Sequence, residues 1–413
     1  MKNLILTCLL VIPTGMFGQW NQQTSGTSNP LYSIFFIDMN TGWAVGGAFN
    51  RDTTILHTTD RGNSWTPQSL GASVPTLLSV FFVDALNGWA VGAVGTILHT
   101  TNGGNQWISQ SSGTTYSIYS VFFADANTGW TVGNAGEILK TTNGGLQWNA
   151  QVSPTMSPLQ SVCFADENNG WIVGANTIIL HTTNGGSHWT VQNQTSGAQA
   201  YLMSVCFLDA NNGWAAGVGS GAVILRTTNG GTDWTRQTSG TYNSVNSLYF
   251  SDLNNGWVVG TGGTILHTTN GGSVWNTQTS GTTSWLYSVH FVDAANGWIA
   301  GDPGTILHTS NGGITSIEES KSDVELDRFM LMPNHPNPFN PSTTISFSIP
   351  RSTYTTLKVY NTLGQEIATL VSDNLNRGTY SRQWNAVNSP SGVYYYRLTA
   401  GPFLQTRKLL LLR

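Results

Sequence analysis

One pattern of apolar and polar positions recurs seven times along the first three quarters of the chain. In the second copy an apolar run, Leu77-Leu78-Ser79-Val80-Phe81-Phe82, leads into a polar Asp-to-Asn turn at residues 84–87. Gly88-Trp89-Ala90-Val91-Gly92 follows, then a short gap, then Ile97-Leu98-His99-Thr100, an Asn-Gly-Gly turn and Trp107. Four short runs of β-type residues separated by glycine and asparagine turns predict four antiparallel strands, here called A to D. The tryptophan of the Gly-Trp pair falls at 43, 89, 130, 171, 214, 257 and 298, giving spacings of 46, 41, 41, 43, 43 and 41 residues. A period in the low forties with four strands per unit predicts β-propeller blades. One such unit cannot bury its own hydrophobic face, so the copies must stack into a ring. The expected fold class is therefore all-β: a seven-bladed β-propeller over residues 19–314.

The strand-D tryptophans show how the ring would close. Trp65, Trp107, Trp148, Trp189, Trp234 and Trp275 make six copies for seven blades. The missing copy is N-terminal, where Trp20-Asn21-Gln22-Gln23-Thr24-Ser25-Gly26-Thr27 matches Trp275-Asn276-Thr277-Gln278-Thr279-Ser280-Gly281-Thr282. A latch strand at 19–26 is expected to complete the last blade and leave no open sheet edge.

Beyond the repeats the pattern changes. Residues 315–332 are rich in Glu, Ser and Asp and read as a linker. From Pro333 to Arg413 a new alternation begins, with Ile345, Phe347 and Ile349 in one strand and Leu357, Val359 and Tyr360 in another, followed by Ser391-Gly392-Val393-Tyr394 and a Leu-rich end. Several strands in so short a segment predict a small Ig-like β-sandwich.

Charge narrows the function classes. Only 9% of residues are charged and the net charge is −4, so no basic face exists for nucleic acid. Residues 1–18 combine Lys2, an apolar run from Leu4 to Ile12 and a small residue at Gly18, and are expected to be a cleaved signal peptide. That run is too short to span a bilayer, and no integral membrane segment is expected in the mature chain. Cys8 lies inside the run rather than after it, which argues against a lipoprotein. Cys163 and Cys206 occupy the same strand-A position in neighbouring blades. They allow a disulfide in an oxidising compartment, but two small buried thiols are the favoured reading.

Two motifs carry resemblances. Thr58-Thr59-Asp60-Arg61-Gly62-Asn63-Ser64-Trp65 fits the Asp-box pattern, with Asn in place of Asp at 102, 143, 184, 229, 270 and 311. In this the chain resembles the bacterial neuraminidase repeat family. The fuller repeat resembles the photosystem II assembly-factor propellers and their non-photosynthetic bacterial relatives over residues 19–313. The stretch Pro336-Asn337-Pro338-Phe339-Asn340-Pro341, the Ser-Gly-Val-Tyr strand and the Lys-plus-leucine end resemble type A sorting domains of the type IX secretion system. That resemblance implies the type IX secretion machinery as a partner, a secreted or outer-surface location, and removal of the domain at the surface.

Catalytic constellations are sparse. The strand-C position after Ile-Leu holds His57, His99, Lys140, His181, Arg226, His267 and His308, one per blade. Blades pack about 10 Å apart, too far to share a metal bound at about 2 Å. A ladder of side chains, each bonding within its own blade, is expected. A sialidase needs converging arginines, yet Arg61, Arg226 and Arg236 fall in different places. The non-repeating carboxylates Asp52, Glu137, Asp302, Glu167 and Asp233 form no motif for glycoside hydrolysis. No cofactor or metal is called for. An Asp-box carbohydrate-active hydrolase is the alternative to the favoured reading, a binding module for a protein, peptide or glycan.

A propeller presents its A–B and C–D turns on one face and its B–C and D–A connections on the other. The first face repeats, with an Asp at 38, 84, 125, 166, 209, 252 and 293. The second varies, and the ligand-binding candidates lie there: Phe49, Arg51, Asp52, Tyr116, Tyr201, Tyr242 and Trp285. Aromatic rings with polar tips suit recognition of a peptide or sugar. Tyr32, Tyr119 and Tyr287 either join them or plug the channel mouth.

Overall fold

A computed structural model describes residues 20–48, 53–70, 73–192, 199–314, 329–332, 334, 337, 339–387 and 389–411. The chain divides into two compact units, 1–314 and 315–413. The signal-peptide expectation and the candidates Phe49, Arg51 and Asp52 fall outside the described residues.

The first unit is a ring of seven four-stranded antiparallel sheets, each in the order A-B-C-D. In the first blade these strands are Leu31–Phe36, Gly42–Gly47, Thr53–Thr58 and Thr66–Pro67. The A strands touch their counterparts on both sides and so surround the central axis. In the last blade the fourth place is taken by Asn21–Gln23, paired with Thr305–Thr309 through Asn21↔His308 and Gln23↔Ile306. Trp20 meets Phe291 edge-on at 5.8 Å and 88°, which matches Trp65 against Phe36 at 5.8 Å and 89°.

Three contacts join every pair of neighbouring blades, and each is made by a repeated residue. The Gly-Trp indole lies flat on the strand-A phenylalanine of the next blade, as in Trp43 on Phe82 at 3.5 Å. The last of these, Trp298 on Phe36 at 3.6 Å, closes the circle. Each phenylalanine also lies over the glycine of its own Gly-Trp pair. A Cβ on Gly42 would stand 2.6 Å from the Phe36 ring, so only glycine leaves the ring room to slide in. The same indole donates its Nε1–H to a carbonyl in the next blade's C–D turn, from Trp43 to Gly103 at 3.1 Å round to Trp298 to Arg61 at 3.1 Å. Nearer the axis, a strand-A serine accepts a backbone N–H from the next blade: Val80 N–H to Ser33 Oγ and Ile34 N–H to Ser288 Oγ, both at 3.2 Å. Each indole is fully buried, and burying such a ring contributes about 3 kcal/mol or more.

Among its described residues the second unit holds two sheets. One contains Met330–Leu331, Ser342–Ile349 and Gly378–Asn385; the other orders Glu366–Leu375, Thr353–Tyr360, Gly392–Ala400 and Phe403–Leu411. Both contribute to one core, where Ile345, Phe347 and Ile349 meet Leu357, Val359 and Tyr396. Tyr360 points away from that core and lies beneath the Arg397 guanidinium at 4.9 Å. The Tyr396 hydroxyl donates to the Met332 carbonyl at 2.8 Å and ties the entering segment down.

The N-terminal strand makes the ring's stability dependent on a few residues. Trp20→Ala is expected to destabilise the ring by about 3–5 kcal/mol, and deleting residues 20–26 to yield aggregate, because it uncovers the edge of Thr305–Thr309. Thermal unfolding of the two variants checks this. An unchanged midpoint for the deletion rules the latch out.

Candidate functional site

The two faces differ in how much of their chemistry the fold consumes. On the turn face each repeated aspartate caps its own A–B turn: Asp38 Oδ1 accepts the N–H groups of Asn40 at 2.7 Å and Thr41 at 2.8 Å. The Asp box is equally occupied. Asp60 Oδ1 accepts from the Thr58 hydroxyl at 2.8 Å and the Ser64 N–H at 2.9 Å, while Thr58 Oγ1 takes the Gly62 N–H. Asn102 performs the same task with its single Oδ1, accepting from Thr100 and from the Gln106 N–H. Asn can replace Asp in six copies because the turn needs one acceptor, not a charge. Asp60 alone uses its second oxygen, on the Ser64 hydroxyl at 2.6 Å. The Ser64 hydroxyl, then its backbone N–H, then Thr58, hold the Asp60 carboxyl below its usual range.

Strand C carries the imidazole ladder. His57, His99, His181, His267 and His308 each stack on the Gly-Trp indole of their own blade, at 4.6–4.9 Å. Lys140 and Arg226 take this place over Trp130 and Trp214. Lys140 departs from a purely within-blade ladder, since its ammonium donates to Gly185 O of the next blade at 2.6 Å. The five imidazole Nε2 atoms are buried without a hydrogen-bond partner among the described residues. Burial therefore lowers every one of these pKa values, to about 4 for His267 and, with help from Arg61, for His308. Among the described residues, no three His, Cys, Asp or Glu side chains converge to hold a metal.

A second ring lines the axis at the fifth position of strand A: Phe35, Phe81, Phe122, Cys163, Cys206, Tyr249 and His290. Its aromatic members touch at 4.6–5.1 Å, as in Phe35–His290 and Phe35–Phe81. Cys163 and Cys206 are free thiols, and burial raises both pKa values, that of Cys206 to about 11. Cys163 Sγ accepts the Phe207 N–H at 3.4 Å, and His290 Nδ1 accepts the Phe36 N–H at 3.4 Å. Burial lowers the His290 pKa to about 3.

The opposite face is where the blades part company. The second position of strand A holds Tyr32, Leu78, Tyr119, Gln160, Met203, Asn246 and Tyr287, all partly exposed. Two clusters form from this ring and the residues just before it. In one, Trp285 meets Tyr287 edge-on at 6.5 Å, and Tyr287 meets Tyr32 at 5.1 Å. Asp302 enters beside them, its N–H donating to Trp285 O at 2.9 Å. Burial first, and then the Asp302 charge, raise the pKa of Tyr32 and that of Tyr287, the latter to about 12. In the other cluster, the Tyr201 hydroxyl accepts from Gln160 Nε2 at 2.8 Å, close to Tyr119.

The remaining candidates stand apart. Tyr116 is 47% exposed in its D–A connection, and Tyr242, 93% exposed, lines a shallow cleft of about 460 Å³ with Arg236 and Ser220. Asp302 and Gln160 were not among the expected binding residues. Aligning the blades on the apolar-x-Ser start of strand A would have singled out Gln160 beside the tyrosines. Glu137 and Asp302 sit in B–C connections of the third and seventh blades, and burial raises the Glu137 pKa.

Fold and repeat define a β-propeller of the Asp-box type. The chain belongs to the photosynthesis system II assembly factor YCF48 family, whose model matches residues 12–156, 110–190, 146–243 and 238–328. Residues 335–411 match the secretion system C-terminal sorting domain, which marks the chain for type IX export to the cell surface or beyond. No curated protein matches the sequence significantly. Among solved structures the chain is similar to YCF48 bound to D1 peptide, with TM-score 0.61 and 23% identity over 71% of this chain and 98% of that one. It is also similar to YCF48 from Cyanidioschyzon merolae, with TM-score 0.59 and 22% identity over 70% and 98%. A third likeness is to PorZ, an essential surface component of the type IX secretion system of Porphyromonas gingivalis. There the TM-score is 0.53 and the identity 15%, over 93% of this chain and 60% of that one. At these identities the likeness shows the fold.

The buried imidazoles predict an acid-sensitive ring. Their folded pKa values lie below the ordinary 6.5, so the unfolded chain takes up protons first as the pH falls. Stability is fully present above about 6.5 and is lost progressively towards about 4, where both states become protonated. The melting temperature is expected to fall across that window, and His267→Gln to flatten the slope. A melting temperature independent of pH there contradicts the neutral, stacked imidazoles.

Proposed function

We propose that the ring is a surface-displayed binding module holding a protein, peptide or glycan partner on its B–C and D–A face, with a peptide segment favoured. The observation that carries this is the contrast between the faces. One repeats the same internally satisfied turn in every blade, whereas the other bears aromatic side chains that differ from blade to blade. Trp285 is 56% exposed beside Tyr287 and Tyr32, and an exposed ring backed by others is the kind of anchor that dominates recognition. Support for a peptide comes from the YCF48 structure bound to D1 peptide, whose fold this ring shares. The photosystem role in the family's name is not carried over, because the sorting domain directs this chain out of the cell. A hydrolase reading draws no support: the Asp-box carboxylate is committed to its turn, and Glu137 and Asp302 belong to distant blades.

Two measurements test this. Against a peptide selected on the full chain by phage display, Trp285→Ala and Tyr116→Ala are expected to weaken binding by about tenfold or more. Stability should stay within about 1 kcal/mol, as surface changes usually leave it. Binding that survives both, or that maps to the Asp-box turns, contradicts the assignment. Mass spectrometry of protein from the native cell surface is expected to find the chain ending near residue 330. Recovery of intact Arg413 contradicts removal of the sorting domain.

A further inference from the structure

We propose that the corner formed by Trp285, Tyr287, Tyr32 and Asp302 binds the cationic head of a lysine or arginine side chain presented by the partner segment, a reading that rests on the binding role proposed above. The three rings run continuously from the last blade to the first: Trp285 to Tyr287 at 6.5 Å and 78°, then Tyr287 to Tyr32 at 5.1 Å and 45°. Rings so inclined are set at angles to one another rather than in a flat stack, and the outermost, Trp285, is open to solvent. A cation held within about 6 Å of such a face is drawn to the ring's negative centre, most strongly for Trp.

Asp302 supplies the charge that makes the corner selective. Its backbone N–H is anchored to Trp285 O at 2.9 Å, which sets the residue at the edge of the aromatic group. Its carboxylate receives no hydrogen bond and no ion pair from any described residue; the one salt bridge among them, Lys358–Glu366, lies in the other unit. Burial first, and then the Asp302 charge, make both phenols hold their protons more tightly. A carboxylate beside π faces therefore favours a cation twice over and penalises an anion. Across the mouth the Tyr119–Tyr201 group offers a contrast, since its hydrogen bond runs to the neutral Gln160 amide.

The test uses the full chain with ¹⁵N-labelled indoles and peptides Ac-Gly-Gly-X-Gly-Gly-NH₂, where X is Arg, Lys, Nε-acetyl-Lys or Glu. Trp285→Phe assigns the Trp285 indole signal. The Arg and Lys peptides are expected to shift that signal and bind about tenfold tighter than the acetyl-Lys and Glu peptides. Asp302→Asn is expected to erase the preference while leaving the melting temperature unchanged. Should that variant not fold, Trp285→Leu takes its place and should abolish the binding of the cationic peptides. Equal shifts from all four peptides, or a preference that survives Asp302→Asn, overturn the cation site but leave the binding face standing. No shift from any peptide overturns the cation site as well. The binding role itself fails separately, if the phage-selected peptide binds undiminished to Trp285→Ala and Tyr116→Ala.

Discussion

Everything in the ring depends on a sandwich in which a strand-A phenylalanine lies between the glycine of its own blade and the tryptophan of the blade before it. The Trp43–Phe82 stack at 3.5 Å and the bare Gly88 beneath that phenylalanine are one instance of seven. The sandwich needs three residue types at once: an indole large enough to bridge two sheets, a flat ring to fill the gap, and a glycine with no Cβ to obstruct it. Edge-to-face contact with the strand-D tryptophan, such as Phe82–Trp107 at 5.9 Å, fixes the ring from a third side. The period of the sequence is therefore the period of an interface, and a blade alone would leave both halves of that interface in water.

Closure follows from the same interface. With Trp298 on Phe36, Trp298 Nε1–H on Arg61 O, and Ile34 N–H on Ser288 Oγ, the seventh junction repeats the other six in all three contacts. The N-terminal strand adds a seam across the last blade, so separating the chain's ends would mean breaking a junction and a sheet together. Trp20 also ties this seam to the sixth blade, since its indole N–H reaches Gln278 Oε1 there at 2.9 Å.

The repeat unit was legible because its signals are local and redundant: glycine where a ring must pass, Asp or Asn where a turn needs an acceptor, Trp where two sheets meet. The strand-D tryptophan count pointed to the N-terminal strand, and Trp20 holds the seventh copy's place. The mouth of the ring was legible only as a list of aromatics. Which of these meet depends on how far a side chain leans across the blade boundary, and no spacing encodes that. Tyr201 leans to Gln160 of the preceding blade, and Trp285 and Tyr32 both meet Tyr287. In the sequence Asp302 is a stray carboxylate, because its proximity to the rings arises between the last blade and the first, 270 residues apart in sequence from Asp302 to Tyr32.

Strand A shows why one rim can vary in sequence without endangering the ring. In its six-residue register, the first, fourth and sixth positions are buried between blades, and the third supplies the serine that bonds the next blade. The fifth position closes the axis with a second layer of packed side chains. Only the second position is left without a shared structural task, and it varies through Tyr, Leu, Gln, Met and Asn. It lies at the irregularity in each A–B pairing, where the ladder skips between the first and third residues. A side chain there leaves the regular pleat and stands at the mouth, where its contacts differ from blade to blade: Tyr32 meets Tyr287, Gln160 bonds Tyr201, and Asn246 donates to Leu286 O. Under the proposed binding role, selectivity would reside at that position and at the residue just before the six-residue register, where Trp285 and Tyr201 stand.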